Sequence, residues 1–128
     1  MVPRQPSVAL SAVVLGCPDP QALAGFYQRL LGWDVVRDQP GWVKLRSRLG
    51  GPGLAFQAEE GYVPPRWPAG PGDQQMMVHL DFGVDDLAAA SAHALECGAV
   101  EAAHQPQDDV RVHLDPVGHP FCMFQVPA

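Results

Sequence analysis

His79-Leu80-Asp81 sets an imidazole and a carboxylate two residues apart. The surrounding run, Gln75–Val84, places apolar side chains at Met76, Val78, Leu80, Phe82 and Val84, the period of a strand with one covered face. Met77, His79 and Asp81 then share the opposite face. A neutral imidazole there donates from one ring nitrogen and accepts at the other. The carboxylate either meets an adjacent atom of the same ligand or orients the ring. In the plainer arrangement Asp81 turns outward, to cap a loop or pair with Arg66, and His79 is a core histidine. Adding His113 to His79 and Asp81 supplies the residue types of a two-histidine, one-carboxylate iron triad. That triad normally sits on a double-stranded β-helix, which the two helices read below do not fit.

The remaining reactive side chains are scattered. Cys17, Cys97 and Cys122 are odd in number and form no CxxC pair, the pattern of reduced thiols in a cytoplasmic protein. His93 falls on the polar side of a helical stretch and is expected to be solvated. His104 ends a strand beside Pro106, and His119 lies in a Gly-His-Pro turn suited to hydrogen bonding. Arg66 and Trp67 stand in a proline-rich stretch. There Trp67 can stack on a planar ligand while Arg66 holds an anion, or can pin the loop to the protein. The chain has no Ser-His-Asp spacing, Walker loop or GxGxxG element.

An internal repeat positions these residues. Leu10–Leu15 reads as a strand, Asp19-Pro20 as a helix cap followed by a proline in the first turn, and Gly32 as a helix stop. Between them Leu23, Phe26, Tyr27, Leu30 and Leu31 form one apolar stripe at helical spacing. The same order recurs about 66 residues on. Gln75–Val84 is the strand, Asp85-Asp86 the cap, Leu87, Ala90, Ser91, Ala94 and Leu95 the stripe, and Gly98 the stop. Three short strands follow each helix: Trp33–Arg37, Trp42–Arg46 and Leu54–Ala58, then Val100–His104, Val110–Leu114 and Phe121–Val126. The reading is one domain of two βαβββ modules, residues 8–59 and 75–126, with a linker at 60–74. Each module is too small to bury its sheet alone, so the two are expected to pack together.

Composition narrows the function classes. With 128 residues, 47% apolar and 17% charged, the chain can build a core without disulfides or a structural metal and is not disordered. A net charge of −6 and the lack of a Lys/Arg run argue against nucleic-acid or anionic-membrane partners. No apolar run approaches the roughly 18 residues that span a bilayer.

The repeat, with Phe26-Tyr27 and Leu30-Leu31-Gly32 in its first half and Asp115-Pro116-Val117-Gly118 before its last strand, resembles the vicinal oxygen chelate superfamily. That group includes glyoxalase I, extradiol dioxygenases, fosfomycin-modifying enzymes and bleomycin-binding resistance proteins. More narrowly, Phe56-Gln57, Trp67-Pro68, His79-Leu80-Asp81 and Asp115–Cys122 are similar to small glyoxalase-like domain proteins. The resemblance covers essentially the whole chain. It implies an α+β fold of two tandem βαβββ modules, a cupped sheet around a cavity with the helices outside.

The resemblance also implies four inward ligand positions, which in metal-using members hold a divalent ion that stabilises an enediolate-like charge. Carried onto this chain they fall on Ala12, Gln57 (or Glu59, if that strand is read two residues later), His79 and Cys122. Alanine has no donor atom and glutamine is a weak one. A degenerate site with no cofactor is therefore expected, a divalent metal being the alternative. His79 beside Cys122 would suit a nucleophilic pair, unless Cys122 is simply a small buried thiol. The implied function is binding of a small molecule, an apolar or aromatic metabolite or antibiotic. His79, Asp81, Gln57, Cys122, Met77, Trp67 and Arg66 would surround it. The alternatives are a metal-dependent lyase, isomerase or dioxygenase, a metal-free acid–base catalyst using His79 and Glu59, and a partner-binding protein with a vestigial cavity. Members of this superfamily commonly pair, so a homodimer is also implied.

Overall fold

A computed structural model describes residues 4–127. Its elements run β1 (Ala12–Cys17), α1 (Pro20–Leu31), β2 (Asp34–Gln39), β3 (Trp42–Arg46), β4 (Gly53–Ala58), β5 (Leu80–Val84), α2 (Leu87–Cys97), β6 (Val100–Glu101), β7 (Val110–Leu114) and β8 (Pro120–Gln125). Each module forms its own four-stranded mixed sheet, ordered β1-β4-β3-β2 and β5-β8-β7-β6. In both, the first and last strands lie side by side in parallel and the other pairs are antiparallel. The α+β architecture of two βαβββ modules read from the sequence is the one observed.

Local chemistry places the helices. The Asp19 carboxylate accepts from the Gln21 and Ala22 N–H groups at 3.1 and 3.3 Å, Pro20 occupies the first turn, and Gly32 ends α1 at φ 70°. Asp86 caps α2 through the Ala89 N–H at 3.0 Å, and Gly98 ends it at φ 118°. The α1 stripe buries Leu23, Phe26, Tyr27 and Leu30. The stripe of α2 is shallower, with Ala94 buried and Leu95 exposed.

Six of the eight strands depart from the expected boundaries, β2, β4 and β8 by only one or two residues at an end. β1 starts two residues later than Leu10. β5 starts at Leu80 rather than Gln75, because its partner ladder opens at Leu80 opposite Phe121. Beyond that pair the partner chain reaches Pro120, which has no N–H to offer, and then leaves in a turn. Gln75 instead bridges to Arg66 in the linker. β6 stops at Glu101, since the Gln105 side chain takes over its bonding. Its amide donates to the Ala102 and Val112 carbonyls at 2.9 Å each and accepts from the Val112 N–H at 3.0 Å.

One core serves both modules. Tyr27 of α1 stacks on Phe56 of β4 at 5.5 Å and meets Phe121 of β8 edge-on at 6.3 Å, with Phe26 also 6.1 Å from Phe121. A buried carboxylate fixes this contact. Asp115 accepts from the Tyr27 hydroxyl at 2.8 Å and from the Val117 and His119 N–H groups at 3.0 Å each. Gly118, at φ 98°, makes the turn that aims both N–H groups at one oxygen. His119 donates from Nε2 to the Gly16 carbonyl at 2.7 Å, so its bond crosses between modules. His93 is likewise not merely solvated: it donates from Nε2 to the Leu30 carbonyl at 3.1 Å, and joins the two helices.

His113 lies in the core on the α2 side of its sheet. Its Nε2 sits 2.8 Å from Ser91 Oγ, its ring stacks on Phe121 at 5.3 Å, and its Nδ1 has no partner among the described residues. Burial lowers its pKa below the ordinary 6.5.

Two predictions follow from this core. Tyr27→Phe leaves a buried carboxylate one donor short and should cost about 1–3 kcal/mol of stability in urea unfolding. Because the native state binds the His113 proton less tightly than the unfolded chain, stability should also fall as pH drops through 6.5. His113→Leu should remove that component when midpoints at about pH 7.5 and about pH 5.5 are compared.

Candidate functional site

Alternation along β8 sends Phe121 and Met123 into the core and Cys122 and Phe124 to the opposite face. The parallel ladder sets Asp81 directly against Cys122. Val110 and Val112 of β7, paired with Phe124 and Cys122, complete an apolar floor. These residues, with Trp67, His79 and Asp109, line a cavity of about 450 Å³. That volume is in the range of small-molecule sites.

The polar centre is compact. His79 Nε2 lies 3.2 Å from Asp81 Oδ1, with the side chains 33% and 58% exposed. Direct contact thus replaces orientation through a water. The donor atoms of His79, Asp81 and Cys122 all fall within 4.8 Å of one another. The Trp67 ring stacks on His79 at 5.0 Å and 25°, and meets His104 edge-on at 5.2 Å. The linker therefore supplies an aromatic cover for the imidazole.

Burial pushes the Cys122 thiol up to about 11, and the Asp81 charge and hydrogen bond act in the same direction. That shift disfavours the thiolate on which a nucleophilic His–Cys pair depends. His113 faces α2, on the other side of the sheet from His79 and Asp81, which removes the iron triad.

The other sequence-derived site residues lie elsewhere. Gln57 is exposed near the end of β4, where its side chain donates to Glu59 at 3.0 Å, and neither residue lines the His79 cavity. Met77, 75% exposed, lines a neighbouring cavity of about 360 Å³ with Val14, Tyr62 and His119. Arg66 lines a separate hollow with His104 on another side of Trp67, so it holds no anion in the His79 cavity. No lysine or arginine among the described residues lines that cavity, whereas Asp81 and Asp109 do. Asp109 escaped the sequence reading, and His104, expected to end a strand, instead meets Trp67 from irregular chain beyond Glu101, where no periodicity reports direction.

The two ladders also test the inherited metal positions. Val14 pairs with Ala55 as Asp81 pairs with Cys122, which makes Ala55 the first-module counterpart of Cys122. Phe124 is by the same registers the counterpart of Gln57. Ala12, Val14 and Ala55 thus stand where module two has His79, Asp81 and Cys122. A metal centre drawing donors from both modules does not fit these residues.

Residues 12–124 match the sequence profile of a family described as glyoxalase-like domain. No curated protein matches the chain. Among solved structures, the fold is similar to a glyoxalase/bleomycin resistance protein/dioxygenase family enzyme from Burkholderia phytofirmans PsJN. The TM-score is 0.70 at 20% identity, over 94% of this chain and 100% of that one. It is also similar to TnmS3, an antibiotic binding protein from Streptomyces sp. CB03234, with TM-score 0.66 and 18% identity over 97% and 100% of the two chains. The oxidase ChaP-H2 gives 0.66 and 20% over 94% and 95%. At such identities the likeness is one of fold, and the fold carries both binding and catalysis.

The thiols offer a direct check on the site. With iodoacetamide near neutral pH, mass spectrometry should find half-exposed Cys97 alkylated first and buried Cys122 last, together with Cys17. Asp81→Asn should speed Cys122 modification, because a charge that disfavours its thiolate is gone.

Proposed function

Because this chain belongs to the glyoxalase-like domain family, we propose that it binds a small molecule in the module-two cavity, without a two-module metal centre. The observation that carries this reading is the asymmetry of the repeat. Donors converge on one half, at His79, Asp81 and Cys122, and the matching positions of the other half are aliphatic. Trp67, Phe124, Val110 and Val112 suit an apolar or aromatic body such as a metabolite or antibiotic. Asp81 and Asp109, without a lining cation, favour a ligand that presents an amine or another donor over an anionic one. The fold is one that an antibiotic binding protein also uses.

The reading includes a homodimer. β1 and β5 lie at the edges of their sheets, and Val14, Val63, Met77 and Val78 expose apolar surface around the cavity next to β1. Three free cysteines suit a cytoplasmic setting. Among the described residues no helix is long and apolar enough to cross a membrane.

A thermal-shift screen of small molecules on chelator-treated protein should yield stabilising compounds with an amine and an apolar ring system. His79→Ala and Asp81→Asn should each weaken such a compound by about tenfold or more, near 1.4 kcal/mol. Both side chains are partly exposed, so the unfolding midpoint should barely move. Variants that unfold several degrees earlier while keeping full affinity would show these residues to be structural.

A further inference from the structure

We propose that His79, Asp81 and Cys122 form a three-donor site for a thiophilic divalent cation of the zinc type, held entirely within module two. The site differs from the inherited one in two respects. Asp81 is not among the four inherited positions, and module one contributes no donor.

The backbone builds the triangle without strain. His79 and Asp81 project from the same face, two residues apart, and the parallel ladder brings Cys122 opposite Asp81. Bonds of about 2.0–2.3 Å to a tetrahedral zinc ion place its donors roughly 3.3–3.8 Å apart. The His79–Asp81 edge, at 3.2 Å, is already close to that length. All three donor atoms lie within 4.8 Å of one another, so the Cys122 side needs to close by at most about 1.5 Å, within reach of small side-chain rotations.

The donor set selects the ion. One imidazole, one carboxylate and one sulfur favour zinc, cobalt or cadmium over magnesium or calcium, which take all-oxygen shells. On binding, the Cys122 S–H bond breaks, a sulfur–metal bond forms, and the proton passes to solvent, one per ion. Asp109 adds negative charge on the cavity wall, and the fourth coordination position opens to the cavity. Trp67 covers the outer face of the His79 ring and holds its orientation.

The inference stands apart from the small-molecule reading: a cavity that takes the ion but no organic compound sinks that reading alone, and the reverse result sinks this one alone. The test is titration of the full, reduced, chelator-treated chain with cobalt(II). The expected result is one equivalent bound with a thiolate-to-cobalt charge-transfer absorption, and displacement by zinc. Cys122→Ser should abolish that absorption. Cys97→Ser should keep it, although Cys97 Sγ lies 3.8 Å from the His93 ring and is the competing thiol–imidazole pair. Loss of a hydrogen-bonding partner of a ligand already costs about 10–100-fold in affinity, so Asp81→Asn should cost at least tenfold. As a check free of any variant, equimolar zinc should protect Cys122 from alkylation in the unmodified protein. Cobalt bound without the thiolate signal, a signal that survives Cys122→Ser or vanishes with Cys97→Ser, or no saturable binding up to about 1 mM would overturn the proposal.

Discussion

A single buried carboxylate governs how the two modules meet. Burial pushes the Asp115 carboxyl above its ordinary range, against the pull of His119, the Tyr27 hydroxyl and the two N–H groups it accepts from. A carboxylate taken out of water is tolerable only with its lone pairs engaged, and here one of the three donors belongs to the other module. The bond to Tyr27 therefore fixes the position of the turn before β8 against α1. With that turn pinned, Phe121 enters the shared core beside Phe26 and Tyr27. The next residue, Cys122, must then face the other way. The polar centre is in this sense a consequence of the core.

The repeat is present twice, but the His, Asp and Cys donors converge in one copy only. At equivalent ladder positions module one carries Val14 and Ala55 where module two carries Asp81 and Cys122. The difference extends beneath the sheet. Leu45 pairs with Leu54 in module one, while His113 pairs with Phe121 in module two and meets Ser91 of α2. A buried neutral imidazole with one unpartnered nitrogen is less favourable than a leucine at the same place. Module two thus carries polar groups on both of its faces at positions where module one has Val14, Ala55 and Leu45.

The linker belongs to the site as much as the strands do. The bridge from Arg66 to Gln75, with the Arg66 N–H donating to the Gln74 carbonyl at 2.8 Å, folds the proline-rich stretch back on itself. This sets Trp67 between His79 and His104. Arg66, its neighbour, is carried to a different hollow, and Met77 to a third. Consecutive or alternating residues lead to three cavities because the chain here is neither helix nor strand.

What the sequence by itself determined was everything set by short-range chemistry. Asp19, Pro20 and Gly32, then Asp86 and Gly98, bound the helices because capping acts over three or four residues. Apolar runs and the turn residues between them located all eight strands, β3 and β7 to the residue. The pairing of His79 with Asp81 was legible too, since two residues on one extended segment share a face whatever surrounds them. The tertiary structure alone decided which strands lie side by side and in what register. It put Ala55 rather than Gln57 opposite Val14, and Cys122 opposite Asp81, and it turned His113 away under α2. The reason is physical: the parallel β1–β4 and β5–β8 ladders join residues dozens of positions apart, where no turn sets the register and nothing in either stretch of chain records its partner.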